Sequence, residues 1–292
     1  KEGVIKKVTQ NEIFSYLSGK NFKDENFPVA SAIIQKDVRD IIRIFYSFAR
    51  ISDDIADNNN LTSFKKLKIL NFFDETIKNS KKCGIDFLDK IIHLSKKFPQ
   101  SKNYSRELLK AFTLDANKKR YKNWDDLVSY CKFSANPVGR FFIYLTYKIN
   151  NQSLDNEKKI FKSSDNLCTA LQIINHIQDC KDDYLNHNRV YIPSNYFQKY
   201  SLEVNVLKRG KAPIDFIFLK NELISETEKL LSHIEIGLNL IKDWRLRKET
   251  FIILNIAKRL CFLLKKEDPL FKKIKLSRID LIICFIKGIV LN

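Results

Sequence analysis

The chain has 292 residues, of which 44% are apolar and 29% charged, and 52 Lys and Arg against 34 Asp and Glu give a net charge of +18. This composition predicts a soluble globular protein and excludes a disordered or collagen-like chain. Only 7 Gly and 6 Pro are present, which disfavours turn-rich β-sandwiches and barrels. We therefore expect one all-α domain over residues 1–292.

Apolar residues recur at helical spacing in eight segments along the chain. Short breaks such as Asn58-Asn59-Asn60 and Asn186-His187-Asn188 follow some of them, and no Gly-, Ser- or Pro-rich linker divides the chain. The pattern predicts a bundle of roughly eight to eleven helices. The segments lie near 37–57, 62–79, 104–120, 137–149, 154–185, 212–241, 243–264 and 276–290.

An acidic cluster ends the first long helical segment. Tyr46, Arg50, Asp53 or Asp54, and Asp57 are three or four residues apart and so share one helical face. Like charges at this spacing repel each other, and a helix C-terminus disfavours anions, so a cation should offset both penalties. Mg²⁺ commonly binds one or two carboxylates together with substrate phosphates. The cluster therefore predicts a Mg²⁺ site.

A second segment repeats this arrangement before the break at residues 186–188. Gln172, Asn175, Asp179 and Asp183 share a helical face, and Arg189 downstream supplies a cation that could reach a leaving phosphate. One acidic cluster at a helix end is more often solvated surface than a metal site. Two facing clusters are what several Mg²⁺ ions around one diphosphate require, so the pair favours a Mg²⁺–diphosphate site.

Three further stretches carry a resemblance to a known family. They are Glu25-Asn-Phe-Pro-Val-Ala-Ser31, Ser134-Ala-Asn-Pro-Val-Gly139, and the second acidic segment leading to Arg189-Val-Tyr-Ile-Pro193. Together with the two DxxxD motifs, they resemble the squalene/phytoene synthases over about residues 11–290, and within that family the bacterial hydroxysqualene synthases of hopanoid biosynthesis. The resemblance implies an isoprenoid-synthase-type helical bundle around a central cavity.

The resemblance also implies functions for individual residues. It matches Asp53 and Asp57 to the first DxxxD motif of the family and Asp179 and Asp183 to the second, and we add Asn175 as a fifth Mg²⁺ ligand. The implied catalytic residues are Arg50, Asp53, Asp57, Tyr130, Asp179 and Asp183. The implied substrate-binding residues are Asn26, Tyr46, Arg50, Gln172, Asn175, Arg189 and Tyr191.

The chain departs from the squalene and phytoene synthase pattern at two places. Glu25 stands where those enzymes carry a phosphate-binding lysine, and Asn136-Pro137 stand where a glycine and its neighbour would sit. Loss of a phosphate-binding cation suits a site that receives one diphosphate instead of two. We therefore expect Mg²⁺-dependent conversion of presqualene diphosphate and water to hydroxysqualene and diphosphate, with no reductant consumed.

Aromatic residues in or beside the motif helices extend this expectation to the hydrocarbon part of the substrate. Phe45, Phe48, Phe141, Phe142 and Tyr144 could wall a C30 tunnel and face carbocations through their π systems. Ordinary core packing is the alternative for each of them.

Other functions stay open on the sequence. The chain could condense two farnesyl diphosphates, as presqualene diphosphate and squalene synthases do. The run Asp53-Asp54-Ile-Ala-Asp57 also reads as the DDxxD motif of terpene cyclases, and the positive charge also fits a non-catalytic protein docked on membranes or nucleic acid. As partners we expect an isoprenoid diphosphate and membrane lipid, no nucleic acid, and a synthase that hands over the substrate.

The basic C-terminal third predicts where membrane contact occurs. Basic residues near an anionic surface contribute about 1 kcal/mol each. The alternative is that the apolar run 281–286 is the buried face of a last helix. No run reaches the ~18 residues of a membrane span, so we expect a cytoplasmic protein peripheral to the inner face of the cell membrane. The basic residues that precede the run are Lys265, Lys266, Lys272, Lys273, Lys275 and Arg278.

Overall fold

A computed structural model describes residues 8–19 and 31–290, and these ranges contain fourteen α-helices and no β-strand. The expected all-α fold class is confirmed. A 3₁₀ turn, Val204–Lys208, lies between α10 and α11. The helices are α1 (Gln10–Phe14), α2 (Lys36–Asp57), α3 (Ser63–Asn79), α4 (Asp86–Lys97), α5 (Gln100–Asn117), α6 (Trp124–Ser134), α7 (Asn136–Ile149), α8 (Glu157–Gln178), α9 (Cys180–His187), α10 (Ser194–Lys199), α11 (Ile214–Leu231), α12 (Glu235–Leu238), α13 (Trp244–Lys266) and α14 (Arg278–Val290).

Two hydrophobic cores hold these helices together. The first is formed by α1 to α5 with Phe141 and Leu145 of α7. The second is formed mainly by α6 to α14. Phe142 packs against both cores, so α7 joins the two halves, and the candidate site lies between them.

Both acidic segments end at helix C-termini, as the sequence predicts. Helix α2 stops at Asp57 because Asn58 turns to an extended backbone, and the Asn58 side chain accepts a hydrogen bond from the backbone N–H of Asn60 at 2.8 Å. Helix α9 stops at His187 because Asn188 adopts the left-handed conformation, with φ of 49°. Asn tolerates this conformation better than most residues.

The predicted helix over 154–185 is two helices. Helix α8 ends at Gln178, Asp179 has a non-helical backbone with φ of −102° and ψ of 9°, and α9 begins at Cys180. Asp179 keeps helical hydrogen bonds on both sides of the bend, since its N–H donates to the Asn175 carbonyl and its carbonyl accepts from the Asp183 N–H. With no Gly or Pro at the bend, the sequence carries no break signal. The predicted helix over 212–241 is similarly divided into α11 and α12.

The last helix does not bury the apolar run 281–286. Within that run only Cys284 is buried, and the other five residues are exposed. The alternative that the run is the buried face of a last helix is therefore wrong. Among the described residues, no helix combines the length and apolar character needed to cross a membrane.

Candidate active site

A cavity of about 320 Å³ lies between the two cores, enclosed by residues of α2, α5, α6, α7, α8 and α13. Along α2 and α8, its apolar lining residues precede most of the polar ones. The polar side chains therefore collect where these two helices end, while the rest of the wall is mostly apolar. The polar lining residues at that end are Tyr46, Arg50, Asp53, Gln172 and Asn175.

The aromatic residues divide between wall and core. Phe45 and Phe142 line the cavity. Phe48 and Phe141 are fully buried in the first core, so core packing accounts for them. Tyr144 lies along a separate surface groove with Lys148 and Arg140.

Arg50 organises the first acidic segment. One guanidinium nitrogen lies 3.2 Å from Asp53, and the other donates a hydrogen bond of 3.0 Å to Asp54. Asp54 also accepts hydrogen bonds from the backbone N–H and the hydroxyl of Ser18, so its carboxylate makes contacts within the fold and does not face the cavity. Asp53 is the carboxylate that faces the cavity. Burial, and next the charge of Asp57, raise the pKa of Asp53 well above its ordinary value.

The second acidic segment faces the first. Burial raises the pKa of Asp183 to about 8, and the negative charges of Asp179, Asp57 and Asp115 add to that rise, while Arg189 opposes it. The structure therefore brings carboxylates of both DxxxD motifs to the same end of the bundle. Asp179 lies 2.6 Å from the ammonium of Lys273, in the loop between α13 and α14.

Arg189 links the first motif to a buried hydrogen-bond network. Its guanidinium lies 2.9 Å from an oxygen of Asp57 and donates to the backbone carbonyl of Asp115. The two oxygens of Asp115 accept hydrogen bonds from the hydroxyls of Tyr191 at 2.6 Å and Tyr130 at 2.7 Å. Tyr130 and Tyr191 are thus buried with a carboxylate partner, and neither lines the cavity.

Three residues of this region were not singled out from the sequence. Asp115 gives only a weak signal, an acidic residue at a core position of the segment 104–120, and burial raises its pKa to about 6. His176 is buried, its ring stacks on that of Tyr191 at 3.5 Å, and it accepts a hydrogen bond from Gln172. Burial lowers the pKa of His176 to about 3, so its ring is neutral. Lys273 was assigned to the basic surface instead.

Asn26 and Glu25 lie outside the described residues. Ser31, at the end of the first of the three stretches, donates from its backbone N–H and its hydroxyl to the buried carboxylate of Glu249 on α13. In the second of the three stretches, residues 134–139, Asn136 accepts a hydrogen bond of 3.0 Å from Thr169 on α8. These contacts connect Ser31 and Asn136 to helices that line the cavity.

The donor set at the polar end suits a magnesium ion. The side chains of Asp53, Asp57, Asn175, Asp179 and Asp183 present oxygen atoms, which hard divalent cations prefer. Burial, and next the neighbouring carboxylates, raise the pKa values of Asp53 and Asp183, so a bound cation would favour their ionised forms. In the part of the chain that the structure describes, no three His, Cys, Asp or Glu side chains are already arranged as a metal cluster. Ion pairs with the protein's own cations hold several of the carboxylates instead.

Comparisons with known proteins show which proteins the chain is similar to. The sequence profile of the squalene/phytoene synthase family matches residues 21–280. Hydroxysqualene synthase of Sinorhizobium fredii is 34% identical over 89% of this chain and 86% of its own, and that of Rhodopseudomonas palustris is 35% identical over 91% and 88%. The crystal structure of a dehydrosqualene synthase superposes with a TM-score of 0.74 at 20% identity, covering 88% of both chains.

Proposed function

The chain belongs to the squalene/phytoene synthase family, and we propose that it converts presqualene diphosphate and water to hydroxysqualene and diphosphate. One observation carries the proposal, the division of a single cavity into a charged end and an apolar wall. The substrate has the same division, with a diphosphate at one end and a C30 hydrocarbon at the other. The hydroxysqualene synthases described above support this reaction over other reactions of the family.

We infer that Mg²⁺ is held at the charged end by Asp53, Asp57, Asn175, Asp179 and Asp183. When bound, the ion supplies positive charge that stabilises the leaving diphosphate. The fit rests on the all-oxygen donor set and on the clustered negative charge, which a divalent cation would offset.

Arg50 and Arg189 contribute positive charge at the same end. Arg50 lines the cavity and orients the diphosphate, while its pairing with Asp53 and Asp54 fixes the side chain. Arg189 is fixed by Asp57 and Asp115. Lys273 pairs with Asp179. An incoming diphosphate would compete with the Asp179 carboxylate for the Lys273 ammonium. Charges fixed before the reaction stabilise a developing anion without a reorganisation cost.

The apolar wall shields the carbocation of the reaction from bulk water. Departure of diphosphate leaves a carbocation, which rearranges and is captured by water with loss of one proton, so that one C–O bond breaks and one forms. Phe45 and Phe142 present aromatic rings to the cavity, and the adjoining lining residues exclude bulk water. Tyr130 acts as a positioning residue, because its hydroxyl donates to the Asp115 carboxylate, which also lies 3.8 Å from the Arg189 guanidinium.

We infer that the substrate comes from a synthase that joins two isoprenoid diphosphates, and that the protein works in the cytoplasm at the inner face of the membrane. The alternative reaction is condensation of two farnesyl diphosphates by this chain itself. Glu25 is the sequence feature that argues against this alternative, and it lies outside the described residues.

The test is product analysis with each substrate separately. Purified protein with Mg²⁺ and presqualene diphosphate should release hydroxysqualene and diphosphate, and NADPH should change neither product. Two equivalents of farnesyl diphosphate should be consumed poorly. Efficient use of farnesyl diphosphate, or squalene as the main product with NADPH, would establish the alternative reaction instead. Glu25→Lys should improve farnesyl diphosphate binding while leaving metal binding intact.

A further inference from the structure

Helix α14 presents an apolar surface to solvent. The exposed fractions of Ile279, Ile282 and Val290 are 69%, 58% and 69%. An amphipathic helix on a globular core normally buries its apolar stripe, and α14 does the opposite. We name the set of exposed apolar side chains on this helix the α14 face. Its members are Ile279, Leu281, Ile282, Ile283, Phe285, Ile286 and Val290.

The contacts of α14 with α13 explain this orientation. The buried stripe of α14 consists of Asp280, Cys284 and Gly288, four residues apart. Asp280 accepts a hydrogen bond of 2.7 Å from Arg259 of α13. At Gly288 a β-carbon would meet the backbone nitrogen of Ile252 at 2.6 Å. A charged residue and a glycine thus fix which side of α14 packs inward, and the apolar side is left outside.

Basic residues adjoin the α14 face. Lys275 and Arg278 immediately precede it and are exposed, and Lys266 lies over the exposed Phe262 ring at 4.2 Å. Within the described ranges, none of these three cations is in an ion pair. The other three predicted surface cations are different, because Lys265, Lys272 and Lys273 pair with Glu228, Glu267 and Asp179. We name Lys266, Lys275 and Arg278 the basic edge of the α14 face. It holds three of the six cations that the sequence predicts there.

Aromatic side chains extend the same surface. Arg259, which holds Asp280, also lies over the Phe262 ring at 4.9 Å, so Phe262 is adjacent to the start of α14. Phe271, in the loop that leads to α14, is 72% exposed. Exposed apolar patches of this size in a protein with polar surroundings mark interaction sites.

We propose that the α14 face docks the protein on an anionic phospholipid surface. The face and its basic edge have the composition of helices that lie in the membrane interface, with apolar residues in the acyl boundary and Lys or Arg at the headgroups. A second copy of the chain is a poorer fit, because two proteins of net charge +18 would bring basic edges together. The proposal does not depend on the reaction.

Docking there would place the reaction cavity close to lipid. Helix α13 lines the cavity through Leu246, Thr250 and Ile253, and it holds α14 through Ile252 and Arg259. Helices α13 and α14 therefore lie between the cavity and the proposed membrane surface.

Vesicle flotation tests the proposal with the full chain. Phosphatidylglycerol vesicles should bind the protein, neutral phosphatidylcholine vesicles should not, and high salt should release it. Ile282→Ser with Ile286→Ser should weaken binding by at least about tenfold. Lys275→Gln with Arg278→Gln should weaken it by about 30-fold, from about 1 kcal/mol for each charge.

Matched controls are available elsewhere on the surface. Phe64→Ser with Ile236→Ser changes two apolar residues that are 78% and 67% exposed, and Lys81→Gln with Lys82→Gln changes two exposed lysines. Neither control should reduce binding, and turnover in detergent micelles should be unchanged in all four variants, which separates this surface from the reaction. Equal binding to both lipids, or equal losses in the controls, would overturn the proposal. So would a dimer in sedimentation velocity that Ile282→Ser with Ile286→Ser dissociates, in a protein that binds no vesicles.

Discussion

Asp53 and Asp54 are adjacent in the sequence and have different surroundings. Asp54 is held by Ser18 and Arg50, whereas Asp53 faces the cavity. Helical spacing alone permits either residue to continue the row from Arg50 to Asp57, because steps of three and four both keep one face. The hydrogen bonds that Asp54 receives from Ser18, which is distant in the sequence, distinguish its environment from that of Asp53.

Asp183 offers the clearest test of the metal site, because it adds negative charge to a cluster and no cation is paired with it among the described residues. Asp183→Asn should nearly abolish turnover. It should leave the thermal stability of the metal-free protein equal or slightly higher, because burial raises the pKa of the Asp183 carboxyl to about 8 and so disfavours its charged form, which the amide removes. Measured steady-state rates and melting curves without metal check this result. Asp182→Asn, which changes the exposed neighbour, should keep most activity; comparable turnover in both variants would contradict the assignment.

Asp115 is expected to act through Arg189 and the two tyrosines. Asp115→Asn keeps the shape of the side chain and the backbone carbonyl to which Arg189 donates, but it removes the carboxylate charge 3.8 Å from the Arg189 guanidinium. It should lower kcat by about 10- to 100-fold with little change in KM. Tyr191→Phe removes one hydrogen bond and leaves the charge, so its loss should be smaller. A fall in stability with unchanged kcat in the folded fraction would show that Asp115 is only structural.

At the scale of elements, the sequence predicts the long helices and misses their interruptions. The helices that carry both acidic segments were predicted because apolar periodicity and Asn-rich stops agree there. The bend at Asp179 was not, because no Gly or Pro marks it in the sequence. The orientation of α14 was not predictable either, because its inward side is set by Arg259 and Ile252 on another helix.

The packing of α14 on α13 can be tested at Gly288. In Gly288→Ala, the new methyl group would meet backbone atoms of Ile252 that cannot rotate away, and overpacking of this kind costs about 1–3 kcal/mol. We expect faster amide hydrogen exchange over residues 278–290 and a lower urea midpoint. Gly210→Ala is the matched control, because nothing lies within 4 Å of its β-carbon position. Equal exchange in both variants would contradict the close approach of the two helices.

At the scale of the whole molecule, the two halves meet where the two acidic segments end, next to the polar end of the cavity. Asp57 belongs to the end of α2, and Arg189 and Asp183 belong to the second half. Ligands that bind across this end should therefore stabilise the entire fold by mass action. The halves themselves were not predictable as two cores, because a core is defined by contacts between segments distant in sequence.

A melting experiment measures this coupling. Mg²⁺ and inorganic diphosphate together should raise Tm more than the sum of their separate effects, since each completes the site for the other. Asp183→Asn should lose the joint effect, and Asp182→Asn should keep it. An additive response in the unmodified protein would show that metal and diphosphate bind independently.

The central claim is that water captures the cation formed when diphosphate leaves. The most direct measurement is the reaction of presqualene diphosphate with Mg²⁺ in water enriched in oxygen-18, followed by mass spectrometry of the C30 product. The account predicts hydroxysqualene whose single oxygen carries the heavy isotope in the proportion present in the solvent. A product without oxygen, or a hydroxyl that carries no solvent label, would contradict it.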